Sequence, residues 1–308
     1  PELMGAVGCA CYANEIHGRE EGRPLDDLLH AASFETSQIQ CNGCENHCLV
    51  NRYTFRSGRR YFSGNRCEKV FTNRGDDRQP GINAYQKKLE FLFGIASGEQ
   101  KKSPAEGKET LTLGIPRVLN LYEEFPFWKT LFEGCGLRVE LSGPSTFSAY
   151  ERGARQVMSD NICFPAKLVH SHIHALRDLG VDRIFMPYVV FERDTGFDEN
   201  SFNCPVVSGY SQVVKSVDAD EPIPVDSPVI SFRDEKKLYV QCSKYLEGLG
   251  VGRRKIRSAF REAVKAFDAY EESVKQTNLD ILWKSRTKGT PVVLLAGRPY
   301  HSDPLIQH

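Results

Sequence analysis

Several features that would assign this chain to a common class of protein are missing from its sequence. Its 40 Lys and Arg residues are balanced by 40 Asp and Glu residues, so no basic excess indicates a nucleic-acid partner and no acidic run indicates a disordered tail. No apolar run approaches the roughly 20 residues that a membrane-spanning helix needs. The first residues also lack the basic leader and the long apolar core of a signal peptide. We therefore expect a soluble, cytoplasmic protein that binds neither a membrane nor nucleic acid.

Two groups of catalytic motifs are missing as well. The chain contains no phosphate-binding GxGxxG or GxxxxGK[ST] loop and no Gly-x-Ser-x-Gly elbow. Its first residue is Pro1 rather than Met, and its last residues follow an apolar run, 292–296, that is typical of a buried strand. We therefore expect the chain to be a piece of a longer polypeptide, with any nucleotide site outside it.

Cysteine, by contrast, is abundant, with ten residues in the chain. In a protein expected to be cytoplasmic, cysteines are better interpreted as metal ligands, redox groups or buried small side chains than as disulfides. Four of them follow the spacing Cys-x2-Cys-x3-Cys-x18-Cys: Cys41, Cys44, Cys48 and Cys67. Unrelated buried thiols rarely cluster in this way, so the spacing predicts a metal or iron–sulfur site.

The residues between the third and fourth of these cysteines predict a hairpin. A strand is expected over 48–55, a turn at Ser57-Gly58 and a return strand over 60–62, which would bring Cys67 back beside the other three. Four thiolates suit tetrahedral Zn²⁺ and a [4Fe–4S] cluster equally well, and the spacing does not decide between them.

From residue 111 onward the pattern alternates between strands and helices. The expected strands are 111–115, 137–141, 183–187, 205–207, 229–232 and 292–296. The expected helices are 119–134, 147–158, 164–179, 210–216, 234–248 and 253–285. Such alternation implies right-handed crossovers and a mostly parallel sheet, in which ligands bind beyond the carboxyl ends of the strands. The predicted fold class is therefore α/β, a Rossmann-like domain preceded by a small four-cysteine metal-binding hairpin module.

Two further cysteines are expected at this edge of the sheet. Cys163 begins a helix with Pro165 in its first turn, where the positive end of the helix dipole favours the thiolate that binds metals. Cys204 precedes Pro205 at a predicted strand start on the same edge. A buried cysteine without a chemical role is the alternative for Cys163, and the local sequence does not separate the two interpretations.

Other cysteine and histidine residues give weaker indications. Cys135 and Cys242 fall within predicted helices and are expected to be core residues. His170 and His174 share one face of the helix that follows Cys163, at zinc-like spacing, but no metalloprotease glutamate accompanies them.

Six short motifs are spread along the chain: Cys-Asn-Gly-Cys-Glu-Asn-His-Cys-Leu (41–49), Ser-Gly-Asn-Arg-Cys-Glu (63–68), Ile-Pro-Arg (115–117), Asn-Ile-Cys-Phe-Pro-Ala-Lys (161–167), Asn-Cys-Pro (203–205) and Ala-Gly-Arg-Pro-Tyr-His (296–301). Together they resemble the large proteins related to 2-hydroxyacyl-CoA dehydratase activases, over nearly the whole chain. The small-residue helix expected over 1–15 resembles the end of the activase ATPase domain, which is of the sugar kinase, Hsp70 and actin type. The Gly-Arg-Pro-Tyr end resembles the entry to a dehydratase- or benzoyl-CoA reductase-like part.

The resemblance and the sequence pattern together divide the chain into six parts. They are the C-terminal tail of an upstream ATPase domain (1–20), the four-cysteine module (21–80), a linker helix and loop (81–110), the Rossmann-like domain (111–232), a helical segment (233–290) and the start of a truncated dehydratase-like domain (291–308).

The resemblance implies ATP-driven delivery of low-potential electrons through iron–sulfur clusters, for reduction or dehydration of an acyl-CoA-type substrate. ATP would bind only in the missing upstream domain. The partners would be that domain and the dehydratase- or reductase-like domain of the same polypeptide, with a homodimer as a further arrangement. In related dehydratase subunits a cysteine at a helix start holds the cluster, which carries over to Cys163, with Cys204 as a second ligand.

The resemblance also favours a [4Fe–4S] cluster over Zn²⁺ at the four-cysteine site. Without an ATP site, the fragment alone is expected to be inactive. The alternative function is non-catalytic, in which a zinc-stapled interdomain scaffold docks partner domains.

Overall fold

The computed structural model describes residues 3–18, 26, 30, 33–43, 46–67, 70–73, 81–94, 110–194, 201–217 and 221–306. Cys44 lies outside these residues, as do residues 95–109 of the segment predicted as a linker helix and loop. The chain divides into two compact units, Pro1–Gln79 and Pro80–His308.

The first unit contains one helix and one small antiparallel sheet. The helix is α1 (Met4–His17), and the strands are β1 (Phe34–Gln40), β2 (Leu49–Phe55) and β3 (Arg60–Ser63), in the order β1-β2-β3. Strands β2 and β3 are the predicted hairpin, and the structure confirms them. Strand β1 is not among the predicted elements, because its sequence Phe-Glu-Thr-Ser-Gln-Ile-Gln is mostly polar and exposed. It forms by pairing along the whole length of β2.

The second unit is built on parallel strands joined by helices. Its strands are β4 (Thr112–Ile115), β5 (Arg138–Leu141), β6 (Arg183–Phe185), β7 (Tyr188–Phe191), β8 (Val225–Asp226) and β9 (Val229–Ser231). Its α-helices are α2 (Ala84–Phe93), α3 (Leu121–Gly134), α4 (Phe147–Gly153), α5 (Phe164–Asp178), α6 (Pro205–Val217), α7 (Glu235–Gly248) and α8 (Arg253–Lys288). One parallel sheet has the order β5-β4-β6-β8, and β7 and β9 form a second parallel pair. The prediction of an α/β fold with a parallel sheet is confirmed.

Two prolines divide what would otherwise be one longer pair of strands. Pro187 separates β6 from β7, and Pro228 separates β8 from β9. A proline has no N–H to donate to a neighbouring strand, so the ladder is interrupted at both positions. The backbone N–H of Met186 nevertheless donates to the Asp226 carbonyl, and that of Tyr188 to the Pro228 carbonyl, each at 2.9 Å. The two short sheets therefore continue each other.

Helices cover the sheet on both faces, and each face has its own core. Helices α3, α7 and α8 pack over one face around an aromatic cluster that contains Phe127, Trp128, Phe132, Phe185, Phe232, Phe260 and Phe267. Helices α5 and α6 pack over the other face, on a smaller aliphatic core. The side chains of β6 alternate between the two cores, because Ile184 enters the second and Phe185 the first. Such a sheet, buried on both sides, is typical of parallel α/β proteins.

The sheet has a switch point between β4 and β6. In the sheet, β4 lies between β5 and β6, the two strands that come next in the chain. Numbered by their order in the chain, the four strands therefore have the order 2-1-3-4 of doubly wound sheets. Gly114 in β4 allows α5 to pack closely there, since a Cβ at this position would lie 2.9 Å from Val181 Cγ2 and 3.1 Å from Leu176 Cδ2. The crevice of a doubly wound sheet lies at this point, beyond the carboxyl ends of the strands.

Two predicted strands are wrong. Residues 205–207 belong to α6, which runs without interruption from Pro205 to Val217, because proline is well suited to the first turn of a helix. Residues 292–296 form no strand, and Leu294 is 89% exposed. Their apolar, β-branched sequence predicts a strand, but among the described residues no other strand pairs with them.

The two helices that follow β9 share a core with the sheet. Helix α8 packs along α3, and both contribute to the aromatic cluster together with Leu238 and Cys242 of α7. Cys135 and Cys242 are 4% and 1% exposed, which confirms the prediction that they are core residues. The segment 233–290 therefore completes one face of the α/β unit.

Replacement of Gly153 by Ala is expected to destabilise the second unit. A Cβ at Gly153 would lie 2.7 Å from the Ser171 backbone nitrogen and 3.2 Å from the His170 carbonyl carbon, so α4 and α5 would have to separate. Overpacking of this kind costs roughly 1–3 kcal/mol of the free energy of unfolding, which chemical denaturation measures. Gly248→Ala is the matched control, because nothing lies within 4 Å of a Cβ there. Equal stability of the two variants would contradict the prediction.

Candidate functional site

The hairpin of the first unit brings three of the four clustered cysteines to one end of its sheet. Cys41 follows β1 and Cys48 precedes β2, and the Cys41 backbone N–H donates to the Cys48 carbonyl at 2.8 Å. After β3 the chain passes so close to β2 that a Cβ at Gly64 would lie 2.7 Å from the Leu49 carbonyl oxygen. Cys67 follows three residues later.

The donor chemistry of these residues fits a thiolate-bound metal, but the described side chains do not form a complete ligand set. Cys41 is 8% exposed, and Cys48 and Cys67 are half-buried. Of the residues that the structure describes, which do not include Cys44, no three His, Cys, Asp or Glu side chains are arranged to hold a metal ion. The topology therefore gathers the cysteines at one end of the sheet without fixing a coordination geometry.

Cys163 and Cys204 each begin a helix at the carboxyl edge of the parallel sheet. Cys163 is the exposed N-cap of α5, and the partly buried Cys204 directly precedes α6. Tyr300 lies near both. Burial raises the pKa of its hydroxyl, and the charges of Cys163 and Cys204 raise it further, while Arg298 lowers it. Both thiols therefore lie within electrostatic range of one aromatic side chain.

The histidines of α5 are engaged by neighbouring side chains. His170 Nε2 lies 3.1 Å from the Tyr210 hydroxyl, and His170 is 1% exposed. His174, which shares its helix face, is only partly buried, and the pair belongs to no metal-ligating group of three among the described residues. His170 therefore has a structural role in the packing of α5 against α6.

His172, between them, is the centre of a buried network that the sequence analysis does not predict. Its Nδ1 lies 2.7 Å from Ser142 Oγ and its Nε2 lies 2.9 Å from Ser145 Oγ. Both serines are in the loop that follows β5. Burial lowers the pKa of His172 to about 4, so the ring is neutral at pH 7 and accepts a hydrogen bond at one nitrogen while donating at the other.

The network continues to Asp303, near the end of the chain. The hydroxyls of Ser145 and Tyr122 both donate to its carboxylate, and Asp303 is 1% exposed. The hydrogen bonds to Asp303 fasten the segment after α8 to the carboxyl edge.

Arg117 lies in the same part of the structure. Its guanidinium is 4.0 Å from the ring centroid of Phe93, and the residue is 2% exposed.

A second cluster contains two glutamates, one fully buried and one partly buried. Glu124 of α3 is fully buried, and one of its carboxylate oxygens accepts a hydrogen bond of 2.8 Å from the Trp128 indole N–H. Glu192, just after β7, accepts hydrogen bonds from the side-chain amides of Asn120 and Asn203. Burial, and then the charge of Glu192, raises the pKa of Glu124 well above its usual value. Burial raises the pKa of Glu192 to about 7.

This cluster lies at the switch point of the sheet. Leu119, in the loop after β4, has a positive φ of 48°, which is uncommon for a residue with a side chain and concentrates at functional sites. A cavity of about 20 Å³ opens beside Leu119, Asn120, Glu124 and Pro187. One signal in the sequence could have found Glu124, since it lies on the apolar stripe of α3 between Leu121 and Trp128.

The fold and this edge define the class of the protein. It is a doubly wound α/β protein that brings two cysteines at helix starts and a cluster with two glutamates to the carboxyl edge of its sheet. Residues 112–308 match the family model described as the CoA enzyme activase uncharacterised domain, and the chain belongs to this family. This confirms, at the level of the family, the resemblance to acyl-CoA dehydratase activase-related proteins. No curated protein matches the sequence.

The structure also bears on the membrane prediction. Across the described ranges, no helix combines the length and the apolar character that crossing a bilayer requires.

The pKa of His172 predicts a pH-dependent stability. Its folded-state pKa of about 4 is below the unfolded value of about 6.5, so the unfolded state binds more protons between these two pH values. The stabilisation is complete above pH 6.5 and is lost as the pH falls toward 4, by at most about 1.4 kcal/mol per pH unit. Chemical denaturation of wild type and His172→Gln should show this extra slope in the wild type alone. Parallel pH profiles would contradict the pKa shift.

Proposed function

We propose that this chain is part of an ATP-dependent iron–sulfur electron-transfer protein related to 2-hydroxyacyl-CoA dehydratase activases. It would deliver low-potential electrons for reduction or dehydration of an acyl-CoA-type substrate in the cytoplasm. The observation that carries the proposal is the position of Cys163 and Cys204, which begin two contacting helices at the carboxyl edge of a CoA enzyme activase domain. ATP would bind in an activase ATPase domain of the same polypeptide.

In this proposal Cys163 and Cys204 bind a [4Fe–4S] cluster. Such a cluster accepts and releases one electron when it is bound. The two helix N-termini support the charge of the thiolates, because each presents unpaired backbone N–H groups and the positive end of its dipole. Cys204 and Tyr300 both pack against the aliphatic core, which places this cysteine at the margin of the hydrophobic interior. Two more ligands would come from the dehydratase- or reductase-like partner domain, because a cube of this type takes four.

The four-cysteine module would hold a second metal group. Cys41, Cys44, Cys48 and Cys67 supply four thiolates, the number that a [4Fe–4S] cluster or a structural Zn²⁺ requires. The resemblance of the motifs at 41–49 and 63–68 to those of activase-related proteins favours the cluster. We assign it a relay or structural role, because the module precedes the CoA enzyme activase domain in the chain and lies outside the residues that match it.

Elemental analysis of the anaerobically purified protein tests both sites. The wild type of the full polypeptide, with its dehydratase- or reductase-like domain, is expected to be brown and to contain iron at both. Cys163→Ala in that polypeptide is expected to lower the iron content by about four atoms per chain, because the site holds one four-iron cluster. Cys9→Ala is the matched control, since Cys9 is an exposed cysteine of α1 and should leave the iron content unchanged.

Three results would reject parts of the proposal. Full retention of iron in Cys163→Ala excludes Cys163 as a ligand. A colourless protein with stoichiometric zinc, lost in Cys41→Ser, replaces the cluster of the four-cysteine module by Zn²⁺. A protein with zinc alone supports instead the non-catalytic scaffold that docks partner domains.

A further inference from the structure

The buried hydrogen bonds that end at Asp303 have a fixed direction. A carboxylate only accepts, so the Ser145 hydroxyl donates to Asp303 Oδ2. Ser145 has no second proton and therefore accepts from His172 Nε2, at 2.9 Å. The ring is neutral at pH 7, so its Nδ1 accepts from the Ser142 hydroxyl at 2.7 Å. The Arg117 backbone N–H donates to Ser142 Oγ at 2.7 Å, and every donor of the chain is thus directed toward the carboxylate.

A second hydroxyl and a buried cation complete the surroundings of this carboxylate oxygen. The Tyr122 hydroxyl also donates to Asp303 Oδ2. The Arg117 guanidinium lies 5.6 Å from the ring centroid of Tyr122, and its buried Nε donates to no residue that the structure describes. Two hydroxyl donors and a cation in a buried position stabilise a negatively charged oxygen and leave an apolar group unfavourable there. The position therefore suits an anion.

The donors belong to the sheet and its flanking helices, whereas the carboxylate comes from a distant part of the chain. Arg117 follows β4, and Tyr122 lies in the first turn of α3. Ser145 lies in the loop after β5, and Asp303 is 158 residues further along the chain. In a doubly wound sheet the loops after the parallel strands form the ligand-binding edge. Here the protein's own carboxylate occupies a position at that edge.

The segment that supplies Asp303 is reached through exposed chain. Residues 291–298, which lead to it from α8, are all exposed. Asp303 Oδ1 accepts from the backbone N–H groups of Leu305 and Ile306 in its own turn, at 2.8 and 3.3 Å. Ser302 and Leu305 are buried, so the closed form is the stable one. A terminal turn behind an exposed connection opens at a lower free energy than the core does.

We propose that Tyr122, Ser145 and Arg117 form a binding site for a carboxylate-bearing ligand, and that Asp303 is an internal occupant which such a ligand displaces. An oxygen of the ligand takes the position of Asp303 Oδ2, and the turn that carries Asp303 moves away from the carboxyl edge. Because Asp303 is tethered, its effective concentration at the site is high, and a small carboxylate displaces it only at high concentration. The inference goes beyond the proposed function and does not depend on a metal group at the cysteines.

Chemical rescue tests the carboxylate site. Asp303→Ala leaves two buried hydroxyl donors without their acceptor, so we expect it to lower the midpoint temperature of unfolding. Sodium formate is expected to raise that midpoint again, because it binds the folded state, whereas sodium chloride at equal ionic strength should not. The double variant Ser145→Ala, Asp303→Ala should lose most of the response. Asp268→Ala is the matched control, since Asp268 is a half-exposed aspartate paired with Arg193 and should show no response to formate.

Hydrogen exchange of the wild type tests the displacement without any substitution. The backbone N–H groups of Leu305 and Ile306 should exchange faster as formate is added, because formate binds the open form and raises its population. The expected increase is about twofold when formate equals its dissociation constant for the open form, and it continues in proportion to the formate concentration. Exchange in the part of α8 that packs along α3 should not change.

Two results would overturn the proposal. If folded Asp303→Ala gains no stability from formate beyond that from chloride, the hydroxyls and the guanidinium do not bind a carboxylate. If formate accelerates exchange in the wild type no more than chloride does, the turn is not displaced. Should Asp303→Ala fail to fold, the exchange measurement on the wild type decides alone.

Discussion

The contact between Trp128 and Phe185 connects the core of the α/β unit to its carboxyl edge. Their ring centroids are 4.7 Å apart, so α3 is fixed on the face of β6 that it covers. The same indole donates its N–H to Glu124, one helical turn earlier. A single side chain therefore sets the depth of α3 against the sheet and holds a carboxyl group where water does not reach it. This packing fixes where α3 begins, and the loop between β4 and α3 reaches that point with Leu119 at a positive φ of 48°.

Burial acts on two chemically different groups at this edge with the same result. It lowers the pKa of His172 to about 4 and raises the pKa of Glu124 well above its usual value, so it disfavours the charged form of each group. The two groups are supported in different ways. Both ring nitrogens of His172 have serine partners, and so the network that fastens Asp303 is complete. Glu124 Oε2 accepts from the Trp128 indole, whereas its buried Oε1 has no hydrogen-bond partner of ordinary geometry among the described residues.

The sequence predicts the parallel sheet and its helices better than it predicts strand β1, residues 292–296 and the start of α6. The parallel sheet and its helices follow from hydrophobic periodicity, which reports burial on one face or on both. Strand β1 and the missing strand at 292–296 depend instead on whether a partner strand is present, which periodicity does not contain. Helix α6 shows that tertiary packing also overrides local preference. Residues 205–207 include β-branched side chains typical of strands, but they form the first turn of the helix that packs on the second core.

The cysteines and the carboxylates differ in how far sequence alone can find them. Cysteine is rare enough that its spacing carries information, and Cys163 and Cys204 follow from their positions before a helix or a proline. Glu124, Glu192 and Asn203 are separated by at least eleven residues from one another, and they meet only because β4 and β7 end at the same edge. The two sets of side chains meet opposite electrostatic environments. Helix N-termini favour negative charge on the cysteines that precede them, whereas burial disfavours negative charge on Glu124. One edge of the sheet therefore holds both kinds of environment, which periodicity alone does not reveal.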